Sequence, residues 1–275
     1  MKIGPETHRN SAISASNEHT IVVRGRELAS DLMGQVSFTD YFWLLLTGDM
    51  PSASQRRVLD ATLVAIAEHG LVPSVVASRM TLAAAPEALQ GAVAAGLLGC
   101  GSVVLGSAEA AGRFFARIAE RFARGEPERD AIAAVVQEYR SQKQPIPGYG
   151  HPLHKGSDPR ALRLFEIALE AGSAARHVAI ALAVEQQLPK LLGGKALALN
   201  VSGAIPAVLL DVGYPLLALK GVPILARAAG LVAHLLEEQS RPIGFVMSHA
   251  AAAAISYDGA APAGFRPDDE SGAGA

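Results

Sequence analysis

Apolar residues recur at helical spacing along most of this chain. Between 53 and 67, Val58, Leu59, Thr62, Leu63 and Ile66 fall on one face of a 3.6-residue period. Capping boxes open two helices. Ser37-Phe38-Thr39-Asp40 precedes the apolar run Phe42 to Leu46, which Gly48 and Pro51 stop. Ser52-Ala53-Ser54-Gln55 opens the next, which ends at His69-Gly70. The pattern predicts further helices over 74–84, Pro86 to Cys100, Ser107 to Arg124, 128–141, 159–171, 173–190 and Pro223 to Glu238. Apolar stretches also run from Leu199 to Gly213 and onward to Tyr257. Gly125-Glu126-Pro127, Gly172, Gly193-Gly194 and Arg241-Pro242 break the pattern. Strand character is confined to Thr20 through Arg26, read as a short strand and turn.

Composition narrows the class. Hydrophobic residues make up 50% of the 275, but aromatics only 5%, and alanine dominates the apolar count. Small side chains suit packed helices better than sheets. Five glycines in the Ala- and Leu-rich stretch 91–106 mark helices in close contact. The expected fold is all-α: a tail over 1–20, one domain over 21–259 with a smaller subdomain folded over it around a central loop, and a disordered tail over 260–275. A net charge of −2 gives no electrostatic case for nucleic acid or an anionic membrane. No uninterrupted apolar run reaches the ~18 residues of a membrane span, and the N-terminus lacks a signal-peptide pattern. A single cysteine, Cys100, fits a reducing cytoplasm and reads as an inert core thiol. No metal-ligand spacing, dinucleotide fingerprint or P-loop is present.

The chemistry concentrates in the loop from Pro145 to Arg160, which holds four prolines, three glycines, His151, His154, Lys155 and Tyr149. Glycines let backbone approach a ligand, and Asp158-Pro159 reads as an N-cap followed by proline at the first helical position. Arg160 then lies in the first turn, where an arginine opposes the helix dipole unless an anion is bound. The pattern suits a small carboxylate or phosphate; the alternative is an ordinary interhelical loop.

These residues match a family. Gly148-Tyr149-Gly150-His151 with Asp158-Pro159-Arg160 resembles the glycine-histidine segment of the citrate synthase superfamily. Val23-Arg24-Gly25-Arg26-Glu27-Leu28, the Leu44-Leu45-Leu46 helix, Glu68-His69-Gly70, Leu199-Asn200-Val201-Ser202-Gly203, Arg227-Ala228-Ala229-Gly230 and Arg241-Pro242 resemble its other segments, in order. The short length and the forms Glu-His-Gly and Asn-Val-x-Gly look most like the citryl-CoA lyase type, also the C-terminal module of ATP-citrate lyase. The resemblance implies a helical homodimer acting on a CoA thioester, acetyl-CoA for instance, and a small di- or tricarboxylate, with no permanently bound cofactor. It implies that His151 hydrogen-bonds the oxygen alternating between hydroxyl and ketone, and that His69 polarises substrate near the bond broken. Arg160, Arg227 and Arg241 would pair with carboxylates, Arg241 from a second subunit. Pro147, Gly148, Tyr149 and Lys155 would meet CoA, Asn200 would line the site, and 87–112 would form the dimer contact.

Two positions depart from the family. Val104 stands where citrate synthases carry the histidine that stabilises the acetyl-CoA enolate, which argues against a synthase and leaves a lyase open. Ser202 stands where the superfamily carries its catalytic aspartate, and an unassisted hydroxyl is no useful base near neutral pH. Asp211, two and a half turns on, is the nearest acid on that stretch. The sequence therefore leaves open a lyase-like enzyme, a carboxylate-binding protein without chemistry, and a different reaction on the same scaffold.

Overall fold

The structure is a computed structural model, and its described residues are 10–101, 107–150 and 158–264. The helices are α1 (Phe38–Thr47), α2 (Ala53–Ala67), α3 (Pro73–Ala84), α4 (Leu89–Leu98), α5 (Ser107–Ala123), α6 (Glu128–Ser141), α7 (Pro159–Glu170), α8 (Arg176–Leu191), α9 (Val201–Asp211), α10 (Gly221–Ser240) and α11 (Gly244–Ala254). Both capping boxes form as read: the Ser37 and Ser52 hydroxyls accept from the N3 amides while Asp40 and Gln55 reach back. Gly48 ends α1 in the left-handed conformation that favours glycine.

The N-terminal region differs from expectation. β1 (Ser14–Ser16) pairs antiparallel with β2 (Ile21–Val23), which pairs with β3 (Arg26–Glu27). The strand-and-turn reading of 20–26 therefore gains a polar partner from the stretch assigned to the tail. Backbone pairing of an exposed edge needs no apolar side chain, so Ser14-Ala15-Ser16 gave no signal. A single π-helical turn, Leu28–Leu32, also went unread.

The chain divides into two compact units, 1–68 with 101–226 and 69–100 with 227–275. The smaller is thus assembled from two distant segments, while the described part of the central loop belongs to the larger. In the larger unit α9 is the hub, packing on α2, α5, α7 and α8. Its Val201, Ala204, Ile205, Val208 and Leu209 share a core with Trp43, Leu59, Leu164 and Tyr214. A second core gathers Phe114, Phe115, Ile132, Val184 and Tyr149.

In the smaller unit α3 packs on α4 and α11. Gly96 is needed there, because a Cβ would lie 2.6 Å from a Leu231 methyl and 2.8 Å from the Ser74 carbonyl. Cys100 is buried, donates to the Gly96 carbonyl, and has its thiol pKa raised by burial against the lowering effect of Arg227. This is the inert thiol expected. One helical stretch, Leu216–Ser240, is long and apolar enough by length and composition to cross a membrane. Its Leu219, Val222 and Ala226 lie in the core of the larger unit and Leu235 in that of the smaller. Part of its apolar surface is therefore used in packing, while Leu217, Val232 and Leu236 are exposed.

Candidate functional site

In the larger unit the central loop and the start of α9 are stitched together. The Gly148 carbonyl accepts from the Asn200 amide at 3.0 Å, and the Gly150 amide donates to Ala198 at 2.7 Å. Tyr149 and Leu199 form an isolated antiparallel bridge. Asn200 caps α9 through its Oδ1 on the Gly203 amide, while its Nδ2 donates to the Gly150 carbonyl at 2.6 Å. Leu199 donates its amide to Glu185 at 2.7 Å. Two glycines make the crossing feasible. Gly148 has φ +87°, and a Cβ on it would stand 2.8 Å from the Gly203 Cα, while one on Gly203 would meet the Gly148 carbonyl at 2.7 Å. The Asn-Val-Ser-Gly glycine is thus fixed by backbone contact.

Tyr149 contributes packing. Its ring sits edge-on to Phe114 and Phe115, its hydroxyl donates to the Ala181 carbonyl, and its pKa lies well above the ordinary phenol value through burial, with Glu185 adding to the rise. Gly148 and Tyr149 are buried, and Pro147 and Gly150 on either side are partly exposed.

Asp158 links the loop's far end to α9. Its side chain is 1% exposed and accepts four hydrogen bonds: the Arg160 amide and Nε at 3.0 Å each, Arg160 Nη2 at 2.9 Å, and the Val201 amide at 3.0 Å. Burial alone would raise its pKa. The Arg160 side chain first, then the Val201 amide, more than offset that and hold it below the usual aspartate value. The N-cap role was readable from sequence; the Val201 bond, 43 residues away, was not.

Ser202 is the second residue of α9, half-buried, directly after the residue Asp158 holds. Pro206, inside the helix, lacks the N–H that would bond the Ser202 carbonyl. Asp211 gives Ser202 no help. It is buried at the other end of α9, where it accepts from the His177 and Val178 amides and the His177 ring, capping α8.

His69, Arg227 and Arg241 belong to the smaller unit. His69 is exposed in the turn before α3, and Arg227 is buried on α10. Arg241 is 80% exposed, 3.7 Å from Glu237. Sequence reading missed Arg79, whose signal was the one that singled out Arg227: a lone charge on an apolar helix. His151, His154, Lys155 and Val104 lie outside the described residues.

A family model for the citrate synthase C-terminal domain matches residues 53–244. The chain belongs to the citrate synthase family. The citrate synthase fold also appears in solved structures. Citryl-CoA lyase from Hydrogenobacter thermophilus is 33% identical, with a TM-score of 0.80 over 94% of this chain and 97% of that one. ATP citrate lyase from Methanothrix soehngenii, solved with citrate and coenzyme A, is 22% identical with a TM-score of 0.73; the match covers 94% of this chain and 42% of that one. Citrate synthase from Thermotoga maritima MSB8 is 22% identical with a TM-score of 0.60, over 75% and 55% respectively. Among curated proteins none matches. The citrate synthase-like reading of the sequence, and its leaning toward the citryl-CoA lyase type of enzyme, are thereby shown.

Proposed function

We propose that this chain makes or breaks a carbon–carbon bond between an acyl-CoA and a small 2-oxo acid such as oxaloacetate, in the manner of a citryl-CoA lyase. The observation that carries the reading is the shared anchoring of Arg160 and the first turn of α9 on buried Asp158. A carboxylate-binding arginine is thereby held to the turn that carries Ser202. The 33% identity to a citryl-CoA lyase over nearly both full lengths supports it.

In cleavage, a base takes the hydroxyl proton of citryl-CoA. The carbon bearing that oxygen becomes the ketone of oxaloacetate, and the electron pair of the broken C–C bond passes to the acetyl-CoA enolate, which takes up a proton. His151 would donate to the alternating oxygen and Arg160 would hold a carboxylate. Ser202 occupies the place of the base, and losing such a group costs about 10²- to 10⁴-fold in rate. Arg227, Arg241 and His69 stand as further substrate contacts, Asn200 as site lining, and Pro147 to Tyr149 with Lys155 as the CoA contact, each to be tested by its own variant. The expected assembly is a cytoplasmic homodimer through 87–112; a monomer by sedimentation at micromolar concentration sinks that part.

A second reading has its own support: Ser202 in place of an acid, with Asp211 committed to capping α8. The chain would then bind a carboxylate without performing the chemistry. A thermal-shift screen with oxaloacetate, citrate, CoA and acetyl-CoA separates the two, since ligand at 100 times Kd stabilises by about 2.7 kcal/mol. Shifts by both classes, and citryl-CoA cleavage that Ser202→Asp raises by about 10²- to 10⁴-fold, support the lyase. A carboxylate shift with no CoA response and no cleavage by either form supports the second reading.

A further inference from the structure

Asp158 carries an inference that deepens the reading above and rests on Arg160 being a carboxylate contact. A guanidinium has five N–H donors in a rigid fork. Asp158 takes Nε–H and one hydrogen of Nη2, the whole of one edge. The second Nη2 hydrogen and one Nη1 hydrogen point together along the end of the fork, the other Nη1 hydrogen points back toward Cδ, and the Arg160 side chain is 22% exposed. The same carboxylate accepts the Val201 amide, one residue before Ser202. Its oxygens offer roughly four acceptor directions, and four donors occupy them. Arg160 is further restrained because its own amide is one of these donors, so backbone and side chain are pinned at a single point.

We propose that Asp158 is a positioning residue of the carboxylate site, fixing the open edge of Arg160 and the Ser202 turn of α9 at one spacing. It touches no ligand and acts through Arg160. A free arginine samples many rotamers and must be ordered when an anion binds; one already clamped on its far edge has lost that freedom beforehand. The clamp also offsets the unfavourable placement of a cation in the first turn of α7.

The test is a double-mutant cycle on oxaloacetate and citrate binding, using the full chain with Asp158→Asn, Arg160→Gln and the pair. Asp158→Asn is expected to raise Kd about 10- to 100-fold, in the range of a lost charge-assisted hydrogen bond. In the Arg160→Gln background it should change Kd less than twofold, because the group it acts through is gone. Additive losses overturn the positioning role and leave Asp158 a structural tie between α7 and α9. To keep the test independent of how the Asn variant folds, the wild type is also read directly by exchange of labelled arginine Nε–H. The Arg160 signal should be protected at neutral pH, unlike that of exposed Arg129, and equal exchange of the two overturns the clamp. Failure of the wild type to bind either carboxylate overturns the parent reading together with this one, whereas binding with additive losses overturns this one alone.

Discussion

Two arginine–carboxylate clusters, one in each unit, use the same chemistry with the roles reversed. In the larger unit the acid is buried and the arginine half-open: Asp158 is sealed by four donors while Arg160 keeps one edge unused by it. In the smaller unit the arginine is buried. Arg79 is 3% exposed and donates to Glu238 at 2.6 Å, Glu237 at 2.9 Å and the Arg241 carbonyl at 3.1 Å, with the His234 ring at 3.4 Å. Glu238 in turn accepts the Ile243 and Gly244 amides, closing the corner between α10 and α11. A buried arginine with four protein contacts is a structural tie. Arg160, held along a single edge and 22% exposed, keeps donors that Asp158 does not use. The difference lies in which partner is exposed, and stability and binding should report it separately.

The largest effect should follow Arg79→Ala. It leaves Glu238, 2% exposed, as a buried charge without its cation, a change that typically costs about 3–5 kcal/mol. Urea unfolding measures it, and a loss under about 1 kcal/mol would remove the contrast between the two clusters. Asp158→Ala should cost less, about 1–3 kcal/mol, because the partner left behind is exposed enough to be hydrated. If the two losses come out equal, exposure is not what distinguishes the clusters.

Acid gives a finer comparison. Burial raises the Glu238 pKa, but Arg79 and the amides of Gly244 and Ile243 bring it below the usual glutamate value, as Arg160 and Val201 do for Asp158. A folded pKa below the unfolded one means stability that is fully present above the unfolded value, about 4.3 for Glu and 3.9 for Asp, and lost as pH falls through the folded value. Wild-type stability should therefore fall with acid below about pH 4.5. The slope should flatten in both Glu238→Gln and Asp158→Asn, starting at the higher pH for Glu238. An unchanged acid limb in either variant would show that its carboxylate is not held charged by its partners.

How far the sequence disclosed these clusters follows from the range of the interactions. Local signals were readable: the Ser37 and Ser52 capping boxes, the Asp158 N-cap with Pro159, and the close helix contact at Gly96 all form as their spacing implies. Long-range ones were not. Nothing near Asp158 announces Val201, and nothing near Arg79 announces Glu238, 159 residues on. The same limit hid the make-up of the smaller unit, whose two segments lie far apart in sequence. α4 begins at Leu89, later than its Pro86 signal, because Ala85 to Ala88 close a turn first. Family resemblance filled part of the gap by assigning Arg160, Asn200 and Ser202 to one place, where the structure brings their elements together.

The smallest effect is the sharpest check on the smaller unit. Arg241 lends Arg79 its carbonyl, which any residue can supply, while its guanidinium is 80% exposed and only loosely near Glu237. Exposed i,i+4 pairs of this kind contribute about 0.3–0.5 kcal/mol. Arg241→Ala should therefore leave urea unfolding within about 0.5 kcal/mol of wild type while removing one cation from the surface. If that side chain serves a carboxylate ligand, calorimetry should show weaker citrate binding at unchanged stability, the reverse of Arg79→Ala. A variant that loses stability and leaves binding intact would place Arg241 with Arg79 among the structural arginines, and Arg160 would then be the only arginine of the two clusters with a case for ligand binding.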